Sequence, residues 1–217
     1  MHTKQFSFSK KQRKKIPYIL SLRRLVYSKG VDLLIKAFAN LEECYSRMQL
    51  WIAGSGPEKK KLMALAKELR IERRVRFLGD VSLQRAVTLL RQAELTVVPS
   101  RSEGGGLVNI EAQAVGCPLV ASKAGGIPEY TKDKKTALLH IINDAHDLRI
   151  KVEKLLQDDE LRNSLIKNGI KFAQKFDWRN MCPKYISLYN KVSSKKNYYS
   201  FRALSPLSRA LWRFLQK

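Results

Sequence analysis

Six short apolar runs recur along the chain, with amphipathic stretches between them. IPYILSL (16–22), MQLWIAG (48–54), VRFLG (75–79), LTVVPS (95–100), PLVAS (118–122) and TALLH (136–140) are nearly continuous rather than alternating. A strand covered on both faces has this pattern, because neither face meets water. Between the runs, Val31, Leu34, Ile35, Phe38 and Leu41 keep helical spacing, as do Leu62, Leu65, Ala66 and Leu69. Leu83, Val87 and Leu90 do so less strongly. Strand–helix alternation at this pitch predicts parallel strands joined by right-handed crossovers. The expected class is therefore α/β: a Rossmann-like, doubly wound parallel sheet of about six strands with helices on both faces. After residue 143 the pattern is helical only, over roughly 145–157, 159–175 and 178–193, which adds C-terminal helices. No internal repeat interrupts this plan.

Charge changes the picture at the two ends. The net charge is +23 over 217 residues. Residues 1–15 hold six lysines and arginines and no acid; residues 178–217 hold nine and no acid. The remaining +8 is spread over 16–177, a moderately basic middle between basic arms. Arms of this kind suit an anionic surface such as phospholipid or nucleic acid, and also serve as solubilising tails. Cys44, Cys117 and Cys182 are odd in number and match no zinc or disulfide spacing, which fits reduced thiols in the cytoplasm. No apolar run reaches the roughly 18–20 residues needed to span a bilayer. No apolar segment follows the first basic residues, so the start does not read as a secretory signal.

The candidate chemistry lies in PSRSEGGGLVNIEAQAVGCP, residues 99–118. In a doubly wound sheet, ligands sit beyond the carboxyl ends of strands, near helix N-termini. Here RSEGGG is the loop leaving a strand and LVNIEAQAVG the helix that follows, stopped by Gly116 and Pro118. Glycines at a helix start let amides approach a ligand closely, and the helix dipole favours an anion such as phosphate. Glu103 and Glu111 then flank the phosphate position. Carboxylates repel phosphate but accept well from hydroxyls, so the fitting ligand is negative in the middle and hydroxyl-rich at its ends: a nucleotide-sugar. On spacing alone a second reading stays open, with Glu103 an exposed loop residue and Glu111 a first-turn partner of the dipole. Arg24 and Lys29, after the first strand, are placed to neutralise a diphosphate, although taken alone such a pair reads first as solvated charge.

The order of these features resembles a known family. Arg24-x4-Lys29-Gly30-Val31-Asp32 is followed by a strand ending in Gly54-x-Gly56-Pro57, then VRFLG. Next come Pro99-Ser100-x-x-Glu103-x7-Glu111-Ala112 and Gly125-Gly126-x-Pro128-Glu129. From about 16 to about 192 the chain resembles the C-terminal, donor-binding domain of retaining glycosyltransferases of family 4, the "group 1" family, which is one half of a GT-B fold.

The resemblance implies a hexosyltransferase using a nucleoside-diphosphate sugar, with no metal and no other cofactor. Arg24 and Lys29 would bind the donor diphosphate. Glu103 would hydrogen-bond the donor sugar and steady positive charge at the anomeric carbon. Gly105 and Gly106 would offer amides to the sugar, with Leu107 and Val108 near the phosphate. Glu111 would accept from the ribose, and backbone groups around Arg76 and Phe77 would meet the base. Asp158-Asp159-Glu160 reads as a helix-start cluster rather than a metal site, and His140 and His146 as structural. Two positions depart from the family. Arg23 replaces a glycine and is expected to crowd the phosphate approach; Ala137 replaces another.

The implied organisation is a basic linker remnant (1–15), a nucleotide-sugar-binding Rossmann-like domain (16–177), a closing helix (178–193) and a basic amphipathic tail (194–217). The tail places Leu207, Leu211, Phe214 and Leu215 on one helical face, which suits an anionic membrane or a partner protein. The family carries an acceptor-binding amino-terminal domain that these residues do not supply. The expectation is therefore the donor half of an enzyme, cytoplasmic or peripheral on the cytoplasmic face of the membrane. Its acceptor would be a glycan or lipid-linked, and alone it would bind donor weakly and transfer little. Trp178, Tyr185, Leu188 and Tyr189 are expected to pack. A non-catalytic sugar-nucleotide sensor shares most of these residues. A basic nucleic-acid binder accounts for the charge but has no use for the glycine–carboxylate stretch.

Overall fold

A computed structural model describes Phe6 and residues 16–194. The chain divides into two compact units, Met1–Asp177 and Trp178–Lys217. In the first, six strands form one sheet: β1 (Tyr18–Leu22), β2 (Gln49–Ala53), β3 (Val75–Gly79), β4 (Leu95–Val98), β5 (Leu119–Ser122) and β6 (Leu138–His140). Their order is β3-β2-β1-β4-β5-β6, and each neighbouring pair is parallel. β3 keeps the whole of its predicted run, and the other five strands are trimmed versions of theirs. Helices occupy the connections, α1 (Val31–Ala39), α2 (Lys59–Glu68), α3 (Leu83–Gln92), α4 (Leu107–Val115) and α5 (Ile127–Tyr130), while α6 (Ala145–Gln157) and α7 (Asp159–Ala173) follow the last strand.

Alternate strand residues feed two apolar layers, as a doubly covered sheet requires. Tyr18, Leu20 and Leu22 of β1 join Trp51, Val98 and Leu119 in the layer under α3 and α4, where Val87, Leu90 and Ile110 meet them. Ile19, Leu50, Ile52, Leu95 and Val97 face the other layer, built with Leu34, Ile35 and Phe38 of α1 and Leu148, Val152 and Leu155 of α6. Phe6 is buried in the first layer, although it falls within the predicted linker. The Tyr18 ring stacks on Trp51 with centroids 4.0 Å apart, and its hydroxyl donates to the Leu89 carbonyl at 2.8 Å.

Three expectations need correction. β3 is less covered than expected: only Val75 is buried, while Phe77 and Leu78 are half-buried against the two layers, whose cover thins at this end of the sheet. The short helix α5 was not predicted, since four residues are too few to show a period. In the second unit, α8 (Trp178–Ser194) leaves Tyr185, Leu188 and Tyr189 exposed by 54 to 70%, where packing was expected. The amphipathic tail at 204–217 lies outside the described residues. Among the described residues no helix is long and apolar enough to cross a membrane.

Candidate functional site

Strand order reverses direction between β1 and β4, the point where an α/β sheet opens a crevice at its carboxyl edge. The loops leaving these two strands, 23–30 and 99–106, therefore lie side by side. Their contact is tight at Gly30, whose backbone is left-handed (φ 64°) and where a β-carbon would sit 2.0 Å from the Pro99 carbonyl oxygen. Main-chain bonds from the Arg101 and Ser102 amides to the Ser28 carbonyl, at 2.8 and 3.2 Å, join the same loops. On the far side, Gly125 (φ 49°) admits the Glu103 carbonyl against its Cα, and the Gly126 amide donates to that carbonyl at 3.0 Å. The glycine pair GG at 125–126 thus braces the loop that carries Glu103.

An open hollow of about 380 Å³ lies between the loops. Arg24, Lys29, Glu103, Gly106, Leu107, Val108 and Glu111 all line it, together with Leu22 and Arg23. The four residues at the centre of the sequence reading thus share one crevice. Gly105, Arg76 and Phe77 do not line it; Gly105 lies beneath Tyr130, and Arg76 and Phe77 belong to the edge strand β3. Helix α4 starts at Leu107 after a left-handed Gly106 and ends at a left-handed Gly116. Its first amides have no acceptor inside the helix, and its positive end faces the hollow.

Glu103 is the electrostatic centre. Lys29 Nζ donates to its Oε2 at 2.9 Å, Ser100 Oγ lies 3.2 Å from the same oxygen, and Arg23 Nη2 also bonds it. Burial alone would raise its pKa, but the hydrogen bond from Lys29 and the charge of Arg23 outweigh that and hold the carboxyl below its ordinary range. Glu111 is the opposite case: burial pushes its pKa up. Arg23, expected to crowd the phosphate approach, instead turns its guanidinium inward to Ser100 and Glu103, leaving its side chain 4% exposed.

A second ion pair went unnoticed in the sequence. Arg101 grips Asp32 of α1 through both guanidinium nitrogens at 2.7 Å, donates to the Tyr27 carbonyl at 2.9 Å and lies over the Tyr27 ring. The pair joins the β4–α4 loop to the start of α1. Its two members are 69 positions apart, so neither periodicity nor local motif could reveal it. His140 is buried, and its Nδ1 lies 2.7 Å from the Ile141 carbonyl, while Nε2 has no partner among the described residues. Asp158 caps α7 by accepting from the Leu161 amide at 2.8 Å, in line with a helix-start cluster. Among the described residues no group of three or more His, Cys, Asp or Glu is placed to hold a metal ion.

The model of the family "Glycosyl transferases group 1" matches residues 3–172. The chain belongs to that family. A D-inositol 3-phosphate glycosyltransferase of Corynebacterium jeikeium is 34% identical over 186 residues, covering 82% of this chain and 44% of the relative. Among solved structures, a sucrose-phosphate synthase from Thermosynechococcus elongatus superposes with a TM-score of 0.81 at 28% identity, over 89% of this chain and 51% of that one. HepE of Anabaena, solved in complex with UDP-glucose, matches with a TM-score of 0.78 at 21% identity, over 88% of this chain and 56% of its own, and so shows the shared fold. The group 1 chain thus spans less than half the length of the curated relative, and about half of each solved one. Its sheet is the parallel six-stranded sheet with helices on both faces that such half-domains share.

Proposed function

We propose that this chain is the donor-binding half of a retaining, family 4 glycosyltransferase that moves a hexosyl unit from a nucleoside-diphosphate sugar to a glycan or lipid-linked acceptor. The observation that carries the reading is the single hollow in which Arg24, Lys29, Glu103 and Glu111 meet at the positive end of α4. Arg24, Lys29 and the amides at Leu107 and Val108 hold the diphosphate. As the bond from the anomeric carbon to the diphosphate oxygen breaks, negative charge grows on the leaving group and positive charge on the sugar. The two cations and the helix end stabilise the first, in place of a metal ion. Glu103, kept ionised by its neighbours, stabilises the second and accepts from a sugar hydroxyl. Glu111 accepts from the ribose, and the base lies toward the edge-strand side, near Arg76 and Phe77. Gly106, which lines the hollow, faces the sugar.

UDP-glucose bound to HepE, and membership of a glycosyltransferase family, support a nucleotide-sugar as the ligand. The acceptor site belongs to a second domain or subunit, and the 204–217 segment gives the assembly a peripheral seat on the cytoplasmic face of the membrane. Calorimetric titration with UDP, GDP and their hexose derivatives tests the reading. Micromolar-to-millimolar binding that is lost in Lys29→Ala is expected; a wild-type protein that binds none of them overturns it.

A further inference from the structure

Every hydrogen bond that the described residues make to the Glu103 carboxylate falls on one oxygen, Oε2. Lys29 Nζ and Ser100 Oγ reach it at 2.9 and 3.2 Å, and Arg23 Nη2 bonds it as well as Ser100 Oγ. Among the described residues none donates to Oε1. The two cations differ in kind. Lys29 sits on the lip of the hollow, 22% exposed, at the end of a flexible stem. Arg23 is 4% exposed, its backbone amide is tied to the Ala53 carbonyl at 2.9 Å, and its Nε is buried with no partner among the described residues. Keeping a guanidinium buried with an unmet N–H is costly. Its backbone is not left-handed, so nothing in the main chain demands a special residue at 23. What Arg23 does meet is Ser100 and the carboxylate.

Lys29 faces conflicting demands, since it neutralises Glu103 and borders the position of the diphosphate. If it were the sole cation on Glu103, an entering diphosphate would draw it off and leave a part-buried carboxylate uncompensated, which such a site disfavours. A second cation that cannot leave removes the conflict.

We propose that Arg23 is a positioning residue that holds Glu103 through Oε2, keeping Oε1 turned to the ligand and releasing Lys29 to the donor's diphosphate. The inference rests on the donor-site reading above. Without Arg23, Glu103 captures Lys29, so diphosphate binding weakens even though Arg23 itself touches no phosphate.

The test is calorimetric titration of UDP and GDP into the wild-type chain, Arg23→Met, and Arg23→Met combined with Glu103→Gln. The single variant is expected to bind about tenfold more weakly, the scale of one charged hydrogen bond. The double variant recovers most of that loss, because a neutral amide no longer ties up Lys29. In the single variant, affinity also rises as pH falls and Glu103 takes a proton. Glu103→Gln alone sets the baseline: a residue that contacted phosphate directly, or served only packing, would cost as much affinity on that background as in the wild type. If Arg23→Met does not fold, Arg23→Lys replaces it, with a smaller loss that Glu103→Gln again reverses. A single variant equal to wild type, or a double variant as weak as the single, overturns the proposal while leaving the donor reading intact. A wild-type chain that binds neither nucleotide overturns both.

Discussion

Glu103 couples the stability of the site to pH, and the sign follows from its surroundings. Its pKa is depressed in the folded chain, despite burial, by Lys29 and Arg23. A depressed carboxylate stabilises fully above its unfolded pKa of about 4.3, and the contribution disappears as pH falls through the lower folded value. The Glu103→Gln protein is therefore expected to be less stable at pH 7 by roughly 2–4 kcal/mol, because Arg23 is left buried beside a neutral group. Its melting temperature should also fall less steeply than that of wild type on acidification below about pH 4.3. Thermal melts of both proteins over this range check the two statements together. Glu111, whose pKa burial raises, contributes with the opposite sign.

At the scale of elements, the crevice depends on two loops staying in register. The Arg101–Asp32 pair fastens the loop before α4 to the first turn of α1, with side chains 13 and 28% exposed. A planar fork bonding both carboxylate oxygens is not replaced by an ammonium, so Arg101→Lys should cost nearly as much as Arg101→Met. The expected loss is about 1.5–3 kcal/mol. Amide exchange in residues 100–106 should quicken in both variants, and unchanged exchange there would show that the glycine contacts alone hold the loop. This bridge explains why the sequence showed the members of the site and not their mounting. Glu103, Glu111, Arg24 and Lys29 stand in local patterns of glycines and helix starts, whereas Arg101–Asp32 and Arg23–Glu103 link positions 69 and 80 apart. Arg23 was misjudged for the same reason. In place of the family's glycine it reads as a bulky side chain crowding the phosphate approach, and only the approach of the β4 loop supplies Ser100 and Glu103 as its partners.

At the scale of the molecule, the site is a rim on a scaffold that can be weakened separately. Leu95 is fully buried at the start of β4, away from the carboxyl edge that carries the crevice. Leu95→Ala should cost about 2–5 kcal/mol and lower the melting temperature by several degrees. Affinity for UDP or GDP measured well below the new melting point should stay at the wild-type value. A matching loss of affinity would mean that the crevice and the sheet do not behave as separable parts.

The fold class, the six strands and most helix limits followed from the sequence by itself, because burial on two faces writes a continuous apolar run and burial on one writes a helical period. The order of glycines, cations and carboxylates likewise pointed to a nucleotide-sugar crevice. Tertiary structure alone decided the edge position of β3, the short α5 and the exposure along α8, since each depends on what lies alongside. It also decided that Arg23 faces Glu103 rather than the solvent. A charge chooses its partner through space, and the order of residues along a chain records that distance only where the partners are near neighbours.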